Sequence, residues 1–138
     1  MERDTLNPYE SEEIDVVAWN ERDPRGFNFL PTTIVVEAKS WTNPVGAPAL
    51  TEFVYKLEQR SQKYGFFIAL NGITGTPSEK NAARDRIRSA LQKDIHVIVV
   101  KGSDLGSFRS GEDFVRFVKV QLCRIAASGT QVDDGDED

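Results

Sequence analysis

Apolar residues along the chain fall into short β-branched runs that alternate with stretches of helical spacing. Four runs rich in Val, Ile and Phe predict strands at residues 14–19, 32–39, 66–70 and 95–100. Apolar positions that recur at helical intervals predict helices at residues 49–64, 77–93 and 110–127. The predicted order is therefore strand, strand, helix, strand, helix, strand, helix.

Turn and capping residues mark the ends of several of these elements. The residues Thr76, Pro77 and Glu79 form a capping-box pattern that predicts the start of the second helix. Gly65 is expected to stop the first helix. Residues 20–28 have turn chemistry, which favours an antiparallel hairpin between the first two strands.

The order of elements predicts an α/β fold. The last three strands alternate with helices, so they should be parallel and joined by right-handed crossovers. The first strand should run antiparallel to the second. We therefore expect a mixed four-stranded sheet flanked by helices on both faces.

Length and composition indicate one globular domain with an acidic tail. The chain has 138 residues, of which 39% are hydrophobic, and a single cysteine, which excludes an internal disulfide framework and a cysteine-rich zinc site. Residues 1–128 are expected to form the domain, and residues 129–138 a disordered acidic tail. With neither a signal peptide nor a membrane-length apolar run, a cytoplasmic location without membrane contact is the expectation.

The charge balance excludes a general basic footprint for nucleic acid. The chain carries 17 basic and 22 acidic residues, and five of the acids lie in the last six positions. Without these five acids the remainder is neutral, so any contact with nucleic acid must come from a local patch.

Three charged residues on the first two strands are the main candidates for chemistry. Side chains two positions apart on a strand share a face, so Glu37 and Lys39 project together. The hairpin partner carries Asp15. Two carboxylates near a sheet end suit Mg²⁺, and the lysine could position or deprotonate an attacking water or neutralise charge on a phosphate. The alternative is a surface ion pair of little energetic value.

Asp15 and the run Glu37-Ala38-Lys39 resemble the Asp…(Asp/Glu)-x-Lys signature of the PD-(D/E)xK nuclease superfamily. The order of elements over residues 12–105 resembles its Mrr-like restriction endonuclease branch. The resemblance implies a restriction-endonuclease-like fold and Mg²⁺-dependent cleavage of DNA phosphodiester bonds, with Mn²⁺ as a substitute ion. It also implies that Asp15, Glu37 and the carbonyl of Ala38 bind the metal, and that Lys39 is the catalytic lysine.

The chain departs from the family pattern in three places. Ile14 stands where the family usually has the proline before the first acid. The family's N-terminal helix, which sometimes supplies a further acid, has no counterpart here; the candidates for that acid are Glu10, Glu12 and Glu13. We therefore expect further domains of a longer protein, or a partner, to supply the helix.

The following helix also lacks the glutamine–tyrosine spacing of RecB-type relatives. Gln59, Gln62 and Tyr64 do not match that spacing, so at best one glutamine would face the site.

Two other features have a functional and a structural interpretation. Lys80, Arg84, Arg86, Arg88 and Lys93 make the second helix basic, which suits either a solvated face or contact with a DNA backbone. His96, the only histidine, is expected to be a satisfied core or edge residue rather than a ligand.

These observations lead to two functional hypotheses. The first is a metal-dependent DNA endonuclease domain in bacterial restriction or anti-phage defence. The second is a nuclease-fold domain that no longer cuts and serves as a binding or oligomerisation module. A homo-oligomer is expected, since two active sites are needed for simple double-strand cleavage. Lys39→Ala is expected to abolish cleavage and leave the fold intact, because Lys39 lies near a sheet end.

Overall fold

The structure, a computed structural model, describes residues 2–3, 13–40, 45–73 and 77–128. Its elements, in chain order, are β1 (Glu2–Arg3), β2 (Glu13–Trp19), β3 (Thr33–Lys39), α1 (Ala47–Gln59), β4 (Tyr64–Ala69), α2 (Pro77–Gln92), β5 (His96–Lys101), α3 (Gly102–Ser107) and α4 (Gly111–Ser128). Thr76, Glu10, Glu12, the side chain of Glu13 and the acidic tail 129–138 lie outside the described part of the chain.

The strands form one mixed sheet in the order β1-β2-β3-β4-β5. Strand β2 is antiparallel to β3, and β3, β4 and β5 are parallel to one another. The predicted α/β class, the hairpin and the parallel crossovers are thereby confirmed. The sheet has one more strand than predicted, because the two-residue β1 pairs with β2. A pairing of two residues is too short to produce a periodic pattern.

Helices cover both faces of the sheet and enclose two cores. Helices α1 and α2 pack on one face through a cluster that includes Leu50, Phe53 and Ile87, against Phe67 and Val97 of the sheet. Helix α4 packs on the other face, where Val118 and its neighbours contact Phe66, Ile98 and Val100. In the described part of the chain, no helix is both long and apolar enough to cross a bilayer.

Helix α1 ends earlier than its sequence indicates. The expectation that Gly65 stops the helix is wrong, because Gly65 lies inside β4. The helix closes instead at Gln59, where the amides of Ser61 and Gln62 donate to the carbonyls of Glu58 and Leu57. Ser61 adopts the left-handed conformation (φ 53°) that such a closure requires, although it is not a glycine.

The glycine at position 65 is required by close packing of α1 on β4. A Cβ atom there would lie 2.7 Å from Phe53 Cζ and 2.8 Å from Leu57 Cδ1. We therefore expect Gly65→Ala to lower the free energy of unfolding by about 1–3 kcal/mol, the usual cost of overpacking a core. Urea denaturation measures this value. Gly106→Ala is the matched control, because no described atom lies within 4 Å of the added Cβ; a similar loss in that variant would contradict the packing argument.

Candidate active site

The register of the β2–β3 hairpin places Asp15 directly opposite Glu37. Residues directly opposite in an antiparallel pair share a face of the sheet, and Lys39 shares it because it lies two positions beyond Glu37. This is the face covered by α1 and α2, since Val35 of the same parity belongs to that core. The structure thus brings Asp15, Glu37 and Lys39 together at one end of β3.

The three side chains are more buried than a sheet end would suggest. Relative exposure is 8% for Asp15, 0% for Glu37 and 1% for Lys39. Lys39 Nζ lies 3.2 Å from Glu37 Oε2. The expectation that Lys39 lies outside the core is therefore wrong: it ends its strand, but it is enclosed beneath the α1–α2 layer. An exposed surface pair, the alternative interpretation from sequence, does not describe this arrangement.

Lys56 on α1 and Arg60, the residue directly after α1, complete the cluster. Lys56 Nζ lies 2.5 Å from Glu37 Oε1. Arg60 binds Asp15 through both terminal nitrogens, with Nη2 2.9 Å from Oδ2 and Nη1 3.3 Å from Oδ1. Glu37 therefore pairs with Lys56, and Asp15 pairs with Arg60.

Lys56 and Arg60 are the site residues that the sequence analysis missed. They are four positions apart, so they lie on the same helix face. Each lies next to the helix face that Phe53 and Leu57 bury against the sheet. The position of these two residues beside the buried helix face could have indicated their role from the sequence, because a long charged side chain next to that face can reach the end of the sheet.

The glutamines and tyrosine considered from sequence lie elsewhere. Gln62 accepts a hydrogen bond from Thr33 Oγ1 (3.0 Å), at the opposite end of β3 from Lys39. Gln59 is exposed, and Tyr64 stacks on His96 across β4 and β5 with ring centroids 4.5 Å apart. None of these observations connects the three residues to the Asp15–Glu37 pair.

Comparison with known proteins identifies the family. Residues 3–106 match the sequence model of the Mrr_cat family, which is described as restriction endonuclease. This match covers well over half of the chain and contains Asp15, Glu37, Lys39, Lys56 and Arg60. The chain belongs to the Mrr_cat restriction endonuclease family. No curated protein matches it.

Restriction endonuclease domains of this kind generally use divalent metal ions, and the Mrr_cat domain offers suitable ligands. Glu37 Oε2 is buried and accepts no hydrogen bond from the described residues, although Lys39 is nearby. A buried acceptor in this state retains a lone pair for a further ligand. Two carboxylates on adjacent strands are hard oxygen ligands of the type that Mg²⁺ prefers. The residues present therefore fit the metal.

The carbonyl of Ala38 points towards β2 in the plane of the sheet, where the register pairs Ala38 with Ile14. The amide of Leu70, which follows β4, donates to the Lys39 carbonyl (3.1 Å). Because successive carbonyls of a strand point to opposite sides, the Ala38 carbonyl points towards β2, which carries Asp15. Among the described residues, no group of three or more histidine, cysteine, aspartate or glutamate side chains could hold a metal.

The basic residues of α2 divide into buried and exposed ones. Arg84 is only 5% exposed and donates to Asn81 Oδ1 (2.7 Å), so neither interpretation considered from sequence applies to it. Arg88 is exposed and pairs with Asp85 at 3.4 Å. Positions 84 and 88 share a helix face, but Arg84 is buried and Arg88, one turn later, lies at the surface.

His96 lies on β5, the strand at one edge of the sheet, which agrees with the expectation of an edge residue. It is not fully satisfied, however, because its buried Nδ1 has no hydrogen-bond partner among the described residues. Its ring stacks on that of Tyr64.

Proposed function

We propose that this Mrr_cat domain is a metal-dependent DNA endonuclease. The observation that carries the proposal is the buried cluster of Asp15, Glu37 and Lys39 at one end of the hairpin, within a fold of restriction endonuclease type. Charged groups are rarely buried without a functional or structural partner, because desolvation costs several kcal/mol per ion. Mg²⁺ is the proposed ion, with Mn²⁺ as a substitute.

Each residue has a distinct role in the proposed mechanism. Asp15 and Glu37 would hold the cation, with the Ala38 carbonyl as a third ligand. When bound, the cation supplies Lewis-acid stabilisation of the phosphate and a more acidic water. Lys39 is held against Glu37 by its ion pair, which fixes its ammonium group beside the metal ligands. There it would orient the attacking water or stabilise charge on the phosphate.

The reaction is hydrolysis of a phosphodiester. A water oxygen bonds to phosphorus, the bond from phosphorus to one sugar oxygen breaks, and that oxygen takes up a proton. The buried position of Lys39 leaves its charge weakly screened, which strengthens its effect on the phosphate.

Cleavage of supercoiled plasmid in Mg²⁺ tests the proposal. We expect linear or nicked product with Mg²⁺ or Mn²⁺ and none with excess EDTA. Asp15→Asn is the matched inactive variant, since it removes one ligand charge and keeps the side-chain shape. Incubation of single-stranded RNA under the same conditions shows whether the domain cleaves RNA as well as DNA. If the folded wild-type domain binds Mn²⁺ but cuts no DNA, the domain is a binding module and not a nuclease.

A role in restriction or anti-phage defence is part of the same proposal. It is supported by membership of a restriction endonuclease family. Cells that express the protein should form fewer phage plaques than cells that express Asp15→Asn. Equal plaque numbers at equal expression would remove the defence role and leave the nuclease proposal standing.

We further propose that the active form is a homo-oligomer. One site of this kind cuts one strand, and the body of the protein, without its acidic tail, has no net positive charge to hold DNA alone. Pairing two copies would raise avidity without new contacts on either copy. Sedimentation at micromolar concentration, with and without DNA, should show a dimer or larger assembly. A strict monomer that still makes double-strand breaks at high dilution would contradict this expectation.

A further inference from the structure

The two carboxylates proposed to bind metal each already pair with a cation at the C-terminal end of α1. Lys56 contacts Glu37 at 2.5 Å, and Arg60 contacts Asp15 at 2.9 Å. The contacts of Arg60 engage both oxygens of Asp15, the geometry in which an arginine binds a carboxylate most strongly. A metal ion entering the cluster therefore meets two carboxylates that each already pair with a cation.

The cations differ in how readily they can leave. The side chains of Lys56 and Arg60 are 30% and 36% exposed, so each has a route to solvent. Lys39 is 1% exposed and has no comparable route. Long cationic side chains keep their stems packed while the charged end moves to water, so Lys56 and Arg60 can withdraw without unfolding α1.

The charges on the five described side chains also disfavour simple addition of a metal. Asp15 and Glu37 carry two negative charges, and Lys39, Lys56 and Arg60 carry three positive charges. A divalent cation added to these five side chains would concentrate positive charge in a weakly solvated place, where repulsion is strong. Withdrawal of the exposed cations relieves that repulsion.

We propose that Lys56 and Arg60 are resident counter-ions that a divalent metal must displace, and that they therefore set the metal affinity of the site. The inference rests on the proposed metal site at Asp15 and Glu37. Lys56 and Arg60 stabilise the buried carboxylates in the metal-free protein, and their withdrawal exposes both ligands. They act through Asp15 and Glu37 and are positioning residues rather than catalytic ones.

Calorimetric titration of Mn²⁺ into the full chain tests this inference. Lys56→Gln and Arg60→Gln remove the charge but keep a hydrogen-bond donor for the carboxylate. We expect each variant to bind Mn²⁺ at least about tenfold more tightly than the wild type, since one charge at this range alters the affinity of a carboxylate for a competing cation by that order. The Mn²⁺ concentration for half-maximal cleavage should fall by the same factor.

Two control variants separate the effect from general changes in charge or folding. Lys56→Arg retains the positive charge and should keep an affinity within about twofold of the wild type. Lys63→Gln removes an exposed lysine whose contact, with Asp94, is 4.0 Å long, and it should leave Mn²⁺ affinity unchanged. Thermal melting in EDTA shows whether each variant is folded before titration.

The outcomes distinguish this inference from the nuclease proposal. Unchanged or weaker Mn²⁺ binding by folded Lys56→Gln and Arg60→Gln would overturn it, because the cations would then be structural only. Absence of Mn²⁺ binding by every variant and the wild type would overturn it as well. Tighter binding by both variants without DNA cleavage by any form would support the inference and contradict the nuclease proposal.

Discussion

Glu37→Gln is expected to lower the rate of DNA cleavage by at least about a hundred- to a thousandfold, the loss typical of removing one preorganised group from a catalytic site. Glu37 is fully buried and contacts both Lys39 and Lys56. Glutamine has almost the same shape but no charge, and it binds a divalent cation poorly. Metal affinity and cleavage should therefore fall together.

The same substitution is expected to destabilise the fold. Removing one member of a buried ion pair costs about 3–5 kcal/mol, which is a large part of the usual stability of a small domain. Loss of cleavage could then reflect unfolding. The double variant Glu37→Gln/Lys39→Met removes both members of the buried pair and should recover much of this stability, since replacing both partners is often close to neutral.

Urea denaturation and plasmid cleavage on the same samples separate the two effects. The double variant should be folded and inactive. Glu58→Gln is the matched control, because Glu58 is an exposed carboxylate of α1 that contacts Lys93 at 3.5 Å. It should change stability by less than about 0.5 kcal/mol and leave cleavage unchanged. A folded double variant with wild-type cleavage would show that Glu37 has no part in catalysis.

Lys39→Met is expected to have the second largest effect, with loss of cleavage by about a hundredfold or more while Mn²⁺ binding persists. The lysine is a positioned charge and not a metal ligand, so its removal should lower the maximal rate rather than metal affinity. Methionine fills a similar volume and has no polar atom that needs a partner. This makes it a better test than Lys39→Ala, which would leave a cavity beside Glu37 because Lys39 is 1% exposed.

Lys39→Met also has a defined effect on stability. Glu37 keeps its contact with Lys56, so the loss should be smaller than for Glu37→Gln. Lys63→Met is the control, as Lys63 is an exposed lysine paired with the exposed carboxylate of Asp94. If folded Lys39→Met cleaves at the wild-type rate, the lysine serves only to neutralise Glu37.

Much of the fold follows from local patterns in the sequence. The apolar runs predict β2 to β5, and helical spacing predicts α1, α2 and α4, with right-handed crossovers fixing the parallel strands. Side-chain alternation also excludes a slip of one residue in the hairpin, which would turn the side chains of one strand towards the wrong face, but it does not exclude a slip of two. Asp15 opposite Glu37 is a consequence of that register.

Other features depend on tertiary contacts that no local pattern contains. Helix α1 ends at Gln59, where Ser61 adopts a left-handed conformation. The nearby Gly65 does not end the helix but allows α1 to pack closely on β4. Lys39 is buried on the face of the sheet that α1 and α2 cover, and its burial depends on how the helices dock. Lys56 and Arg60 reach the carboxylates for the same reason.

Anomalous diffraction from a crystal soaked in Mn²⁺ tests the metal centre most directly. The account predicts an anomalous peak bonded to carboxylate oxygens of both Asp15 and Glu37, with the Ala38 carbonyl in the same shell. Lys56 and Arg60 should have moved away from those oxygens, and Lys39 should remain in place. An Mn²⁺ ion bound elsewhere, with both salt bridges of α1 intact and no peak at Asp15 and Glu37, would contradict the proposed metal centre.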